Sequence, residues 1–116
     1  VPPYQPDPKS LHGVSAALEF GVFHLKVRHI VVMGHSDCAG IKALLQGIQT
    51  PEGVETSFIQ PWVELARGAR ERAKAQEPDN EPAQRLCCEL EAIKASLANL
   101  MTFPWIRERV ERKELQ

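Results

Sequence analysis

A short apolar run that ends in a glycine and a polar turn most constrains the fold of this chain. Residues 29–33 are mostly apolar and rich in β-branched side chains, and the turn Gly34-His35-Ser36-Asp37-Cys38 follows directly. Apolar residues then recur with helical spacing over 41–45. This order predicts a buried strand, a turn and a helix. Because ligands in open α/β sheets bind at the carboxyl ends of such strands, we expect the functional residues at this turn.

Helical patterns surround the predicted strand. Ser10 is a suitable N-cap for a first helix, whose apolar positions continue to Leu25. A second pattern carries an apolar stripe from Trp62 to Ala73. A long helix is predicted from about Pro82, and its apolar spacings of four and three favour a face packed in the core, made of Leu86, Leu90, Ile93, Leu97 and Leu100. Helix, strand, turn and helix in this order predict a doubly wound α/β pattern.

The predicted strand is the one convincing strand in the sequence, and it is interpreted as central, with both faces buried. A lone strand leaves both rows of its backbone N–H and C=O groups unpaired, which costs free energy when those groups are buried. We therefore expect its neighbouring strands to come from residues outside this sequence or from another chain.

The chain is interpreted as one domain over residues 1–116, of which 43% are apolar. Residues 1–9 contain four of the nine prolines and are expected to run as an extended arm. Residues 10–46 hold the helix, strand, turn and helix with the functional residues. A loop rich in glycine, threonine and proline follows, and residues 58–116 form a helical part.

Charge and cysteine content exclude several classes of function. The net charge is −1, with 14 basic and 15 acidic residues, so we expect no nucleic-acid partner and no binding to acidic membranes. No apolar run reaches membrane-spanning length. Three cysteines, two of them adjacent, do not form a disulfide framework, and a reducing, cytoplasmic location is therefore expected.

His35 and Cys38 are the candidate metal ligands of the turn. Zinc binds imidazole nitrogen and thiolate sulfur, and catalytic zinc sites commonly use three protein ligands and a water. Cys38 precedes a predicted helix, whose positive end favours a thiolate. Two other interpretations stay open from the residues alone. In one, Cys38 is a buried structural thiol and His35 bonds backbone; in the other, Cys38 is a nucleophile with His35 as its base.

Five further side chains have more ordinary expected roles. Asp37 is expected to cap the following helix as a solvated turn residue. Of the adjacent Cys87 and Cys88, one is expected in the core and the other partly exposed, because neighbours on a helix point in different directions. Trp62 and Trp105 are interpreted as anchors of the core or of a subunit interface.

Several motifs together resemble the β-class carbonic anhydrases of bacterial type. The resemblance covers nearly the whole chain. It is carried by Ser15-Ala16-Ala17-Leu18-Glu19-Phe20, by the run from Leu25 to Cys38, by Val1-Pro2-Pro3-Tyr4, which resembles the segment after that family's R-N-A-G-N motif, and by His12-Gly13, Phe58-Ile59 with Trp62, Ser96-Leu97-Ala98-Asn99-Leu100 and Phe103-Pro104-Trp105-Ile106.

The resemblance implies an α/β fold with a Rossmann-like three-layer core and a mostly parallel sheet, helix-rich in the part present here. It also implies that His35 and Cys38 are two of three zinc ligands. The family's third ligand is a cysteine in an upstream C-x-D-x-R motif, whose Asp and Arg form a dyad, and this sequence does not contain that motif. The family also continues past Gln116 into a further strand. Where the family usually has Gly-Gly, this chain has Ala39-Gly40, and the Ala39 N–H is expected to bond a bound anion.

The function implied by the resemblance is zinc-dependent, reversible hydration of carbon dioxide to bicarbonate by metal-hydroxide attack. No residue of this chain is assigned as a catalytic residue or a proton shuttle. The alternative is a non-catalytic β-carbonic anhydrase-like module with an incomplete metal site. The proline-rich arm, the amphipathic helices and the unpaired strand need partner surface, and we therefore expect a homodimer or a higher homo-oligomer.

Overall fold

The computed structural model describes residues 1–7, 12–48, 50 and 58–116. Its helices are α1 (Gly13–Glu19), a π-helical segment (Phe20–His24), α2 (Ala39–Gln46), α3 (Ile59–Glu64), α4 (Arg67–Gln76), α5 (Glu81–Leu100) and α6 (Pro104–Glu111). The chain divides into two compact units, one formed by Val1–Val32 with Ser96–Gln116 and the other by Met33–Ala95. The Ser10 cap and most of the loop predicted before residue 58 lie outside the described residues.

The first unit is centred on Phe103, which is fully buried. Its ring lies 5.3 Å from that of Tyr4 and 5.2 Å from that of Trp105. The other core residues around it are at most 5% exposed and are Val22, Leu100, Ile106 and Leu115. Residues 1–7 form no helix or strand, and the Tyr4 N–H donates to Thr102 Oγ1 at 2.8 Å. This arm is therefore held by the Thr102 side chain, which follows the end of α5.

The first helix ends differently from the prediction. A single helix was expected to continue to Leu25, but α1 ends at Glu19 and a π-helical segment follows. There the Leu25 N–H donates to the Phe20 carbonyl at 3.1 Å, which is the wider i to i−5 bond of a π-helix. Lys26 then adopts a positive φ of 53°, which ends the helix.

Residues 29–33 form no regular strand in the described part of the chain. Val31 is 76% exposed and Met33 is 85% exposed, so the predicted strand with both faces buried is not confirmed in this structure. One parallel pairing step is nevertheless present. The Ile30 N–H donates to the Gln116 carbonyl at 2.8 Å, and the Gln116 N–H donates to the Arg28 carbonyl at 2.9 Å. One such step is too short for a ladder, and the sheet is therefore not established.

The second unit packs α2, α4 and α5 through small side chains. Its fully or nearly fully buried residues are Leu44, Ala69, Ala73 and Cys88. Cys88 is buried and Cys87 is only partly so, as predicted from their adjacent positions on a helix. Burial, reinforced by the nearby Cys87 thiol and Glu89 carboxyl, raises the pKa of the Cys88 thiol to about 11.

Glu91 is the buried carboxylate of this unit. Its oxygens accept hydrogen bonds from Lys94 Nζ at 2.7 Å and from Arg72 Nε at 2.5 Å, while only 8% of the residue is exposed. The Lys94 bond, and then the Arg72 bond, hold the pKa of the Glu91 carboxyl below its usual range. The charge of a buried carboxylate is thus compensated on two sides.

Two predicted apolar faces are more exposed than expected. Leu86, Leu90 and Leu97 of α5 are 57%, 52% and 47% exposed, so they do not form the predicted core face; only Leu100 of that stripe is buried. Trp62 is 54% exposed, and a turn separates its helix α3, which ends at Glu64, from α4. The stripe predicted from Trp62 to Ala73 is therefore split between two helices. No helix among the described residues is long and apolar enough to cross a membrane.

Candidate metal-binding turn

The turn before α2 places Cys38 at the N-cap of that helix. Cys38 has extended backbone angles, φ −64° and ψ 116°, and α2 begins at Ala39. Asp37 has a positive φ of 54°, a conformation that aspartate adopts more readily than most residues. The predicted position of Cys38 at the positive end of a helix is therefore confirmed.

Asp37 does not cap α2 as predicted. No side chain caps this helix, and Asp37 Oδ1 instead accepts a hydrogen bond from Arg85 Nη1 of α5 at 2.9 Å. Asp37 has a left-handed backbone conformation, and its carboxylate, which is 83% exposed, extends away from α2 to the neighbouring helix α5. The ion pair fixes the turn to α5.

Glu89 is a second contact between α5 and the turn. Its Oε1 accepts a hydrogen bond from the Cys38 N–H at 3.2 Å. Arg85 and Glu89 are four residues apart and thus share one face of α5. The sequence analysis missed both residues. Their i, i+4 spacing on a predicted helix was visible, but nothing local indicated which loop this face contacts.

Gly34 brings the backbone close to the same helix. A Cβ atom at Gly34 would lie 2.9 Å from Cδ1 of Ile93 and 3.1 Å from its Cγ1. Contacts under 3 Å are not tolerated without movement of one partner. The residue before His35 is therefore glycine for a steric reason, which the sequence analysis did not identify.

The ring of His35 is oriented by the turn itself. His35 Nδ1 lies 2.9 Å from the Ser36 carbonyl oxygen. Because a carbonyl only accepts, this bond assigns the proton to Nδ1 and leaves the Nε2 lone pair free for a metal. A hydrogen bond from the second ring nitrogen to a carbonyl is typical of histidine ligands.

The donor set of the turn fits zinc but does not complete a site. Imidazole nitrogen and thiolate sulfur are zinc donors. Among the described residues, however, no group of three His, Cys, Asp or Glu side chains is placed to hold a metal. His35 and Cys38 thus offer two donors on one turn, and a third would have to come from elsewhere.

The Ala39 N–H is one of the free donors at the start of α2. The first N–H groups of a helix have no carbonyl acceptor within that helix. In α2 the helical hydrogen bonds start with the Lys42 N–H, which donates to the Cys38 carbonyl at 2.9 Å. Ala39 is not among the described residues with positive φ. The Ala39 N–H is therefore available at this helix end, and its hydrogen bond to an anion stays a prediction.

Comparison with known proteins identifies the family. Residues 1–116 match the family model described as "Carbonic anhydrase". The chain is 39% identical to Beta carbonic anhydrase 3 of Arabidopsis thaliana, over 99% of this chain and 44% of that protein. It is 42% identical to Beta carbonic anhydrase 6, mitochondrial, of Arabidopsis thaliana, over 88% of this chain and 35% of that protein.

A solved structure agrees with these relatives. The β-carbonic anhydrase CcaA superposes with a TM-score of 0.82 and 25% sequence identity, over 100% of this chain and 54% of that one. This similarity supports an α/β fold. The chain spans about half the length, or less, of the proteins that it matches. With its whole length matched by one family model and two β-class relatives near 40% identity, the chain belongs to the β-carbonic anhydrases.

Proposed function

We propose that the protein containing this chain catalyses the zinc-dependent, reversible hydration of carbon dioxide to bicarbonate. The observation that carries the proposal is the family match over all 116 residues, which includes the turn from Gly34 to Cys38. This turn offers one imidazole and one thiol beside the start of α2. Both are donors that zinc prefers.

In this proposal His35, through Nε2, and Cys38, through its sulfur, hold the zinc ion. Zinc held by these residues and a third ligand would lower the pKa of a water to about 7 and would so supply hydroxide for the reaction with carbon dioxide. The chain's own residues orient the ligands. The Ser36 carbonyl fixes the His35 ring, and Glu89 holds the Cys38 backbone through its N–H. The Ala39 N–H would donate to an oxygen of bicarbonate at the helix end.

Metal analysis of the full-length protein tests this proposal. We expect about one zinc per chain and carbon dioxide hydration in stopped-flow assays. His35→Gln and Cys38→Ser should lose zinc and activity together. Cys87→Ser is the matched control, because it removes a thiol of α5 that offers no donor to the turn, and it should keep both. Full-length protein that hydrates carbon dioxide without zinc, or that binds no zinc, would refute the proposal.

A second proposal is a non-catalytic β-carbonic anhydrase-like module. It is favoured by the absence, within the described ranges, of a group of three metal donors. Such a protein would retain zinc weakly and show no hydration above buffer.

A thiol enzyme using Cys38 as nucleophile and His35 as base is distinguished by its response to chelation. Its activity would survive removal of metal and would be lost on alkylation of Cys38.

We also propose that the protein forms a homodimer or a higher homo-oligomer. The support is the exposure of Leu86, Leu90 and Leu97 on α5, since three large apolar side chains on one helix face commonly bury against a partner. Light scattering at micromolar concentration tests this, and a monomer would contradict it. A cytoplasmic location stays part of the proposal, supported by three free cysteines.

A further inference from the structure

A cleft of about 280 Å³ lies in the unit Met33–Ala95, where the C-terminal halves of α2 and α4 meet the start of α5. It is lined mainly by charged and amide side chains, which are Lys42, Gln46, Lys74, Glu81, Gln84 and Arg85. Three of these groups are cationic and one is anionic. The cleft does not include His35 or Cys38 and is therefore separate from the proposed metal site.

The cleft is lined by more cationic side chains than carboxylates. Glu81 Oε1 accepts a hydrogen bond from Gln46 Nε2 at 2.5 Å and lies 4.0 Å from Arg85 Nη2. Lys42 and Lys74 are exposed, and neither forms an ion pair with any residue that the structure describes. Two ammonium groups thus line one concave surface without a carboxylate partner. Such a surface attracts anions.

Arg85 belongs both to this cleft and to the turn. Its Nη1 donates to Asp37 Oδ1 at 2.9 Å, and Asp37 directly precedes Cys38. A guanidinium group has several donors in a fixed fork and binds phosphate oxygens as well as carboxylates. An anion in the cleft and the Asp37 carboxylate would therefore compete for the same group.

We propose that this cleft binds a small, doubly charged oxyanion of phosphate type through Lys42, Lys74 and Arg85, and that the bound anion weakens the Arg85–Asp37 pair. Lys42, Lys74 and Arg85 carry three positive charges, whereas Glu81 in the lining and Asp37, paired with Arg85 from outside it, carry two negative ones. The net charge is therefore about +1 while Asp37 is paired and about +2 for an anion that displaces it, which matches the charge of phosphate near neutral pH. Charge-assisted hydrogen bonds from ammonium and guanidinium groups supply the binding energy. Binding of the anion at this site does not require the hydration reaction proposed above.

Calorimetric titration of the full-length protein with inorganic phosphate tests the site. The measurement uses low ionic strength, since surface charges are screened over about 10 Å at 0.1 M salt. Lys42→Gln combined with Lys74→Gln should weaken phosphate binding by about tenfold. Arg107→Gln of α6 is the matched control, because it removes an exposed positive charge that lines no part of the cleft, and it should change the affinity less than about twofold. Equal binding by the double variant and the parent would overturn the site.

Because Asp37 competes with the anion for Arg85, removing its carboxylate should strengthen phosphate binding. Asp37→Asn removes the competing carboxylate while keeping a side chain that tolerates positive φ, and it should strengthen phosphate binding by about threefold or more. Asp79→Asn is the control, because it removes an exposed negative charge that is not paired with Arg85. If both variants change the affinity equally, the competition for Arg85 is overturned.

Two further arms separate other sources of binding. Chloride at matched ionic strength should bind at least about tenfold more weakly than phosphate, since it carries a single charge and no oxygen acceptors. Equal binding would overturn the assignment to a doubly charged oxyanion. The metal-site variant Cys38→Ser should bind phosphate as the parent does. If it does not, phosphate binds at the metal, and the cleft is overturned whether or not the hydration proposal holds.

Discussion

The substitution Gly34→Ala would test whether contact with α5 fixes the backbone before His35. The new Cβ would lie 2.9 Å from Cδ1 and 3.1 Å from Cγ1 of Ile93, so either the turn or the isoleucine must move. Overpacking of this kind lowers the free energy of unfolding by roughly 1–3 kcal/mol. Alanine also restricts the unfolded chain, which offsets about 0.4–1 kcal/mol. We expect a net loss of about 1–2 kcal/mol in the free energy of unfolding.

Ile93→Val converts this expectation into a double-mutant cycle. Alone it removes one methylene from a partly buried side chain and should cost about 0.5–1.5 kcal/mol. It also removes Cδ1, the atom nearest the new methyl group, and leaves Cγ1 as a terminal methyl. In the Ile93→Val background, Gly34→Ala should therefore lower the free energy of unfolding by at most about 0.5 kcal/mol. This corresponds to a coupling energy of about 1 kcal/mol between the two substitutions.

Urea unfolding of the full-length protein and its variants measures these free energies. Gly68→Ala in α4 is the matched control, because its Cβ would meet only the far end of the flexible Arg72 side chain, at 3.4 Å. That change should stabilise the helix by about 0.5–1 kcal/mol. Strictly additive effects of Gly34→Ala and Ile93→Val would refute the steric argument. So would a Gly34→Ala variant as stable as the Gly68→Ala control.

Two further outcomes follow from the buried groups of α5. Lys94 and Arg72 keep the pKa of Glu91 below its usual range, so their stabilisation is present above the unfolded pKa near 4.3 and is lost as the pH falls through the lower folded value. The urea midpoint of Glu91→Gln should therefore fall less steeply below about pH 4 than that of the parent protein. Glu108→Gln, at an exposed position, should keep the pH dependence of the parent. An equal acid dependence of the two variants would contradict this prediction. Because burial raises the pKa of Cys88 to about 11, iodoacetamide at about pH 8 should label Cys87 and spare Cys88 in the native protein. Peptide mass spectrometry measures the labelling, and comparable modification of both thiols would show that Cys88 is accessible.

Local signals predicted the first residue of two helices to within two positions. The helix predicted from about Pro82 begins at Glu81. The helix after the turn, expected from Ile41, begins at Ala39. These boundaries depend on proline, capping positions and apolar spacing, all of which act within a few residues.

The predicted strand depends on distant partners and was not recovered in the same way. β-Branched residues favour a strand, but a strand persists only where its N–H and C=O groups find a ladder. In the described residues, 28–30 pair with Gln116 over one step. The exposure of Val31 and Met33 has the same cause, since no sheet neighbour or covering layer is present there among the described residues. Periodicity within the run could not reveal this.

The contacts that hold the turn were likewise beyond local sequence signals. Asp37 and Arg85 are separated by 48 positions, and Cys38 and Glu89 by 51. The position of Asp37 before a helix predicted a capping role, because aspartate is a preferred residue at helix N-caps. The tertiary pair with Arg85 replaced that local role.

One stripe of α5 accounts for how the turn is held. Arg85, Glu89 and Ile93 follow each other at intervals of four, so they lie on one face of the helix. This face contacts the Asp37 carboxylate, the Cys38 N–H and the Gly34 backbone respectively. An ion pair, a hydrogen bond and a steric contact thus act on three positions of a five-residue turn that carries both candidate ligands. The backbone on both sides of His35 is therefore held by α5, while the Ser36 carbonyl orients its ring. If the turn binds zinc as proposed, these are the outer contacts that position its ligands.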